Sequence, residues 1–132
     1  MKKTTRLKQC ILAPEILVMP GAPDALSARI IEKTGFSAFF VGRYSATAAL
    51  LGKPDISLLT LTEMVGHGAR LSEAVDIPFL VDADTGYGGV LNVARTVREM
   101  ERAGAAGLFI EDQIFPKRCG HMEASRSAQR RT

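Results

Sequence analysis

The chain has 132 residues, of which 46% are apolar and 23% charged, with a formal net charge of +3. That length and composition suit one globular domain with a core of its own. No run of about 18 apolar residues occurs, and the basic start M-K-K-T-T-R-L-K is followed by a short, interrupted apolar stretch, so neither a membrane span nor a signal peptide is expected.

In chain order, Thr4 to Leu12 reads as a first helix. Ile16 to Met19 is a short apolar run closed by Pro20-Gly21, which predicts a strand. Asp24 caps a helix to Lys33, with Leu26, Ile30 and Ile31 expected inward and Gly35 stopping it. Ala38 to Val41 predicts a second strand. Thr62 opens a helix to about Val75, with Glu63 in its first turn. Phe79 to Val81 is a third strand, ending at Asp82. Asn92 to Arg102 is a helix with Val93, Val97 and Met100 on one face. Leu108 to Ile110 is a fourth strand, ending at Glu111. Apolar strands alternating with helices predict an α/β fold with about four parallel strands and covering helices. That is about half of an eight-stranded (β/α)8 barrel of the TIM type, which typically needs ~250 residues.

The polar residues gather where strands end, the edge that holds the active site in parallel α/β folds. Asp82 and Asp84 stand at alternate positions after the third strand, and Glu111 takes the equivalent place after the fourth. Carboxylates so placed suit a hard divalent cation such as Mg²⁺, which keeps several waters and takes few protein ligands. The glycines of T-G-Y-G-G let backbone approach a ligand closely. Asp55, after Pro54, is either a turn residue or a further acid reaching the metal through water. Arg43, Tyr44 and Ser45 follow the second strand and offer a guanidinium and hydroxyls to a substrate carboxylate. Lys117-Arg118-Cys119-Gly120-His121 is a charged loop after Pro116, with Gly120 giving freedom to move as a lid. Cys119 among these bases is a candidate proton-transfer thiol. A charged loop is a poor setting for a buried cysteine, whereas Cys10 beside Ile11 and Leu12 reads as a small apolar residue. His121 is a second acid–base group or a loop-orienting residue. His67, on the helix from Thr62, is expected at the surface. With two cysteines and no disulfide framework, a reduced cytoplasmic setting is expected.

At these residues the chain resembles the isocitrate lyase/phosphoenolpyruvate mutase superfamily. The resemblance is carried by P-G-A-P-D-A-L-S-A-R, L-L-G-K-P-D, L-T-L-T-E-M, D-A-D-T-G-Y-G, N-V-A-R-T-V-R-E-M-E-R-A-G, I-E-D-Q and P-K-R-C-G-H, nearly all of residues 4–122. The nearest branch resembles the methylisocitrate lyase, dimethylmalate lyase and oxaloacetate or alkylmalate lyase group, to which the name carboxyvinyl-carboxyphosphonate phosphorylmutase is also attached. The resemblance implies an α/β barrel, of which this is the N-terminal half, and Mg²⁺ or Mn²⁺. It implies cleavage of a C–C bond in a small 2-hydroxy or 2-oxo di- or tricarboxylate. By position it assigns Asp55, Asp82, Asp84 and Glu111 to the metal, Tyr44 and Ser45 to the substrate carboxylate, and Cys119 to acid–base work on a gating loop. Phosphonomutases of the superfamily carry a different residue at that place, so Cys119 favours a lyase. Two departures stand out. The superfamily usually has Gly at the position of Arg43, and its members are about twice as long.

The expected activity is therefore a Mg²⁺-dependent C–C lyase, incomplete in this chain, with little turnover alone. The competing readings are a non-catalytic fragment, a metal-binding interaction module and, within the superfamily, a phosphonomutase. An open half-barrel leaves strand edges unpaired, so a homo-oligomer or aggregation is expected. Residues 1–122 form the half-barrel. Residues 123–132, E-A-S-R-S-A-Q-R-R-T, form a basic tail without a helix-face pattern. No aromatic platform accompanies its arginines, and no nucleic-acid partner is expected. Restoring one nucleotide ahead of the Ala124 codon permits Gly-Lys-Gln and then an apolar residue, as the superfamily continues, so a frameshift origin is expected for the tail.

Overall fold

The computed structural model describes residues 1–115, Lys117 and Cys119. The tail and His121 lie outside the described residues. Five helices and three strands follow one another as α1 (Lys3–Leu12), α2 (Ala25–Lys33), β1 (Phe39–Val41), α3 (Arg43–Leu51), α4 (Leu61–Ala74), β2 (Phe79–Asp82), α5 (Val90–Arg102) and β3 (Gly107–Phe109). The strands form one parallel sheet in the order β1-β2-β3. Phe39 lies opposite Phe79 and Val41 opposite Val81, while Leu80 lies opposite Gly107 and Asp82 opposite Phe109. This is the α/β architecture of a half-barrel. No helix of the described residues is long and apolar enough to cross a membrane.

The period of two along each strand divides the sheet into two faces. Phe39, Val41, Phe79 and Val81 are fully buried in a core with Met64, Leu71 and Met100 from the helices. The Phe39 and Phe79 rings stack at 5.2 Å. On the opposite face Phe40 and Leu80 are half-buried, and Phe40 stacks on the partly exposed Phe109 at 5.4 Å.

Local signals set several helix ends. Asp24 accepts from the Ser27 N–H at 2.7 Å to start α2, and Gly35 leaves it at φ +97°. Thr60 and Glu63 close a reciprocal capping box at the start of α4.

Four expectations change. Ile16 to Met19 forms no strand, and Ile16 is 90% exposed. Pairing begins later: the Phe40 N–H donates to the Pro20 carbonyl and the Ala22 N–H to the Phe40 carbonyl, so Gly21 makes one parallel bridge beside β1. Pro20 has no N–H but keeps its acceptor, so the residue read as a strand end is where pairing starts. On α2, Ala28 and Ile31 face inward while Leu26 and Ile30 are exposed. On α5, Thr96 and Met100 form the buried stripe, and Val97 turns outward. Finally, α3 occupies a stretch with no predicted element.

Among the described residues β3 pairs on one side only, leaving an edge beside the exposed Ile110 and Ile114. Unpaired parallel edges invite pairing with another chain. The purified chain should therefore scatter light as an oligomer or a broad mixture. A sharp monomer peak at every concentration would show that the edge is covered.

Candidate functional site

Each strand hands a charged residue to the same end of the sheet. Two residues after β1 comes Arg43, at the start of α3. Asp82 ends β2 and Asp84 follows it. Two residues after β3 comes Glu111. The loop after α3 adds Asp55, and Lys117 closes the group. All lie at the carboxyl edge of the parallel strands.

Arg43 is fully buried. Its Nε lies 3.3 Å from Asp55 Oδ1, one terminal nitrogen bonds Asp84 Oδ2, and the other donates to the Leu59 carbonyl at 2.8 Å. Lys117 is buried as well, with Nζ 2.8 Å from Glu111 Oε1, 3.1 Å from Asp55 Oδ2 and 3.4 Å from Asp84 Oδ1. Burial draws the Lys117 ammonium down. Its hydrogen bonds to Glu111 and Asp55 and the charges of Asp82 and Asp55 outweigh that, and the net direction is upward. Asp82 accepts from the Asp84 N–H at 2.8 Å and from the Arg43 N–H at 3.5 Å. Burial pushes its carboxyl up to about 6, with Lys117 pulling down and Glu111 pushing further up.

The D-A-D-T-G-Y-G loop is held in an uncommon backbone. Asp84 (φ +53°) and Tyr87 (φ +61°) are left-handed without being glycine, a cost of order 1 kcal/mol each that only a well-determined surrounding sustains. At Gly86 (φ +90°) a Cβ would sit 2.6 Å from a Val93 methyl, so only glycine lets the loop lie on α5. Thr96 ties it there by donating to the Gly86 carbonyl at 3.0 Å. The Tyr87 ring lies 5.2 Å from the Arg43 guanidinium carbon, a cation–π distance. Burial pushes the Tyr87 hydroxyl up, and Arg43 draws it part of the way back.

Asp55, Asp82, Asp84, Glu111 and Lys117 thus come together, and Cys119 joins them, because its N–H donates to the Asp55 carbonyl at 3.1 Å. Cys119 is buried, against the expectation for a charged loop: the charge of Lys117, two residues before it, is neutralised inside the cluster and is not a solvated cation. Arg43 joins the acids. Tyr44 is exposed, and the Ser45 hydroxyl turns back onto the Gly42 carbonyl at 2.9 Å. His67 is not at the surface. It is buried on the α4 stripe with Met64 and Leu71, and burial and then Arg70 draw its imidazole down. The 64–67–71 spacing carried that signal. A groove of ≈ 710 Å³ runs beside the cluster, lined by Leu59, Thr60, Tyr87, Asn92 and Arg95 among others.

The divalent cation implied by the resemblance does not fit the groups as arranged. Carboxylate oxygens of Asp55, Asp84 and Glu111 are turned onto the Arg43 and Lys117 side chains, and those of Asp82 onto the Asp84 and Arg43 backbone N–H groups. Among the described residues no three His, Cys, Asp or Glu side chains come together as a ligand set.

Comparison with known proteins agrees with the placement of these elements. The family model described as phosphoenolpyruvate phosphomutase matches residues 7–131. The chain is 44% identical to 2,3-dimethylmalate lyase of Eubacterium barkeri over 122 residues, 92% of this chain and 42% of that protein. The structure of oxaloacetate acetylhydrolase with the inhibitor 3,3-difluorooxalacetate superposes with a TM-score of 0.91 at 35% identity, over 97% of this chain and 44% of that one. A phosphonopyruvate hydrolase solved with oxalate and Mg²⁺ superposes with a TM-score of 0.84 at 28% identity, over 89% of this chain and 41% of that one. The chain spans less than half the length of these relatives. It belongs to the phosphoenolpyruvate phosphomutase family, within the isocitrate lyase/phosphoenolpyruvate mutase superfamily, and corresponds to the N-terminal part of its barrel.

Proposed function

We propose that this chain carries the carboxylate-cluster half of a carbon–carbon lyase acting on small 2-hydroxy or 2-oxo di- or tricarboxylates, of the methylisocitrate lyase kind. The reading is supported above all by the convergence of Asp55, Asp84, Glu111, Lys117 and the Cys119 backbone at the carboxyl edge of the sheet. Relatives include a lyase of a dimethylmalate and an oxaloacetate-cleaving enzyme.

In such a cleavage a base takes the proton of the substrate's 2-hydroxyl, or, for a 2-oxo acid, of the hydroxyl that water has added at C2. The bond between C2 and C3 breaks, C2 becomes a carbonyl, and the bonding pair passes to C3. The thiol of Cys119 gives its proton to that carbanion. Lys117 places a fixed positive charge beside the developing oxyanion. Mg²⁺ or Mn²⁺, if held, would supply Lewis-acid stabilisation of the same oxygen, but only after the acids have been released from Arg43 and Lys117. Tyr44 and Ser45, at the start of α3, are the proposed ligands of the substrate carboxylate, and His121 is the proposed second acid–base residue.

A second reading, a non-catalytic fragment, is favoured by the Arg43 guanidinium filling the cluster. Release of pyruvate or glyoxylate from methylisocitrate and dimethylmalate, and of oxalate from oxaloacetate, with and without Mg²⁺, separates the two. Marginal turnover that disappears in Cys119→Ser is expected for the lyase. Turnover unchanged in that variant would remove Cys119 from the chemistry, and none with any substrate would leave the fragment reading.

A further inference from the structure

We propose that Arg43 is a tethered cation standing in the place of a divalent metal ion, so that the folded chain binds Mg²⁺ or Mn²⁺ only when its guanidinium leaves the cluster. The inference holds whether or not the chain turns over a carboxylate.

The geometry is that of a bridging ion. The guanidinium touches Asp55 from one loop and Asp84 from another, and it also donates to the Leu59 carbonyl, a third oxygen. A metal ion would link the same oxygens. A buried guanidinium is costly unless acids surround it, and it cannot shed its proton. Arg43 has therefore traded a hydration shell for these oxygens. The exchange is incomplete. Arg43 Nε, Asp55 Oδ1 and Asp84 Oδ1 are buried and make no geometrically sound hydrogen bond among the described residues. A planar fork satisfies fixed directions, whereas a spherical hard cation takes carboxylate oxygens from any side. Asp55 Oδ1 is thus better suited to a metal than to the fork that faces it, and Asp84 Oδ1, with Lys117 Nζ 3.4 Å away, is left free for one too.

The surroundings hold the guanidinium in place. Tyr87 lies over it at 5.2 Å, and Tyr87 and Asp84, both in contact with it, are the left-handed non-glycine residues of their loop. A Mg²⁺ ion needs oxygens at about 2.1 Å. It cannot share the space between Asp55 and Asp84 with a nitrogen already 3.3 Å from one of them.

The test is Mn²⁺ titration of the full chain, followed by the electron paramagnetic resonance signal of the free ion. The parent, Arg43→Ala and Arg43→Ala/Asp84→Ala are compared. Removing the tethered charge should tighten Mn²⁺ binding on the order of tenfold, since affinity at oxygen sites follows ligand charge. Loss of Asp84 should abolish the gain. Equal affinity in parent and Arg43→Ala would overturn the proposal, and so would a gain that survives without Asp84. If Arg43→Ala loses its helical circular dichroism, millimolar Mn²⁺ should restore it. Failure to do so would show that a metal cannot replace the guanidinium, and would overturn the proposal equally.

Discussion

Between about pH 4 and about pH 6 the chain should lose folding stability relative to its Asp82→Asn variant as the pH rises, by on the order of 3 kcal/mol. The cause is Asp82, whose carboxyl is pushed up to about 6 by burial, beyond what Lys117 recovers. In the unfolded chain the same group titrates near about 3.9. Below that value both states hold the proton and nothing differs. Between the two values the folded state keeps the proton while the unfolded state releases it, so each step up in pH favours unfolding. Above the upper value the loss is complete. Other groups act in the opposite sense. Asp24 and Glu63 are lowered chiefly by backbone hydrogen bonds to Ser27 and Thr60. They lose their contribution as the pH falls through their folded values. His67 is lowered by burial, so its contribution grows as the pH rises toward its ordinary value of about 6.5. The measurement is therefore the difference between parent and Asp82→Asn in urea melts across this range. Asparagine keeps one of the two accepted hydrogen bonds, from the Asp84 or Arg43 N–H. Parallel pH profiles in the two proteins would show that Asp82 is better solvated than its burial implies.

Lys117→Met should open the loop that carries Cys119 and speed its modification by a thiol reagent on the order of a hundredfold. Lys117 is buried against Glu111, Asp55 and Asp84, and it is the cation that docks its segment onto three acids. Methionine has the length without the charge. It would leave those acids facing an apolar side chain, a change that costs about 3 kcal/mol or more for a buried pair. Lys117 and its acids lie outside the apolar core, so the cost should appear as local undocking rather than global unfolding. Each 1.4 kcal/mol is about a tenfold change in the docked population, which sets the expected rate. Cys10, half-buried on α1, serves as the internal reference and should react unchanged. Equal acceleration at both cysteines would mean that the whole fold had loosened.

The parts of this structure legible in the sequence are those written in a few neighbouring residues. Asp24, Gly35 and the Thr60–Glu63 pair announce helix ends because capping is local chemistry. The strand-end acids could be found because each ends an apolar run. What escaped depends on residues far apart in sequence. R-Y-S-A-T-A-A-L-L has helix-forming residues but opens on Gly-Arg-Tyr-Ser, a loop-like signal, and α3 buries the arginine at its first position. Nothing near Arg43 in sequence says that its partners are Asp55 and Asp84. Burial of His67 depends on α2 packing across α4. The exposed Ile16 shows the converse: an apolar run makes a strand only where a neighbour offers matching backbone groups.

The stacking of Tyr87 on Arg43 gives the molecule an optical property of its own. The chain has no tryptophan and only two tyrosines, and Tyr44 is exposed. Near-ultraviolet ellipticity from a tyrosine needs a fixed, asymmetric environment. Solvent-facing Tyr44 lacks one, while the partly buried Tyr87 ring is held against a guanidinium. The tyrosine band therefore reports almost entirely on one ring and the cation beneath it. Whatever shifts Arg43 is written into the spectrum of the unlabelled protein.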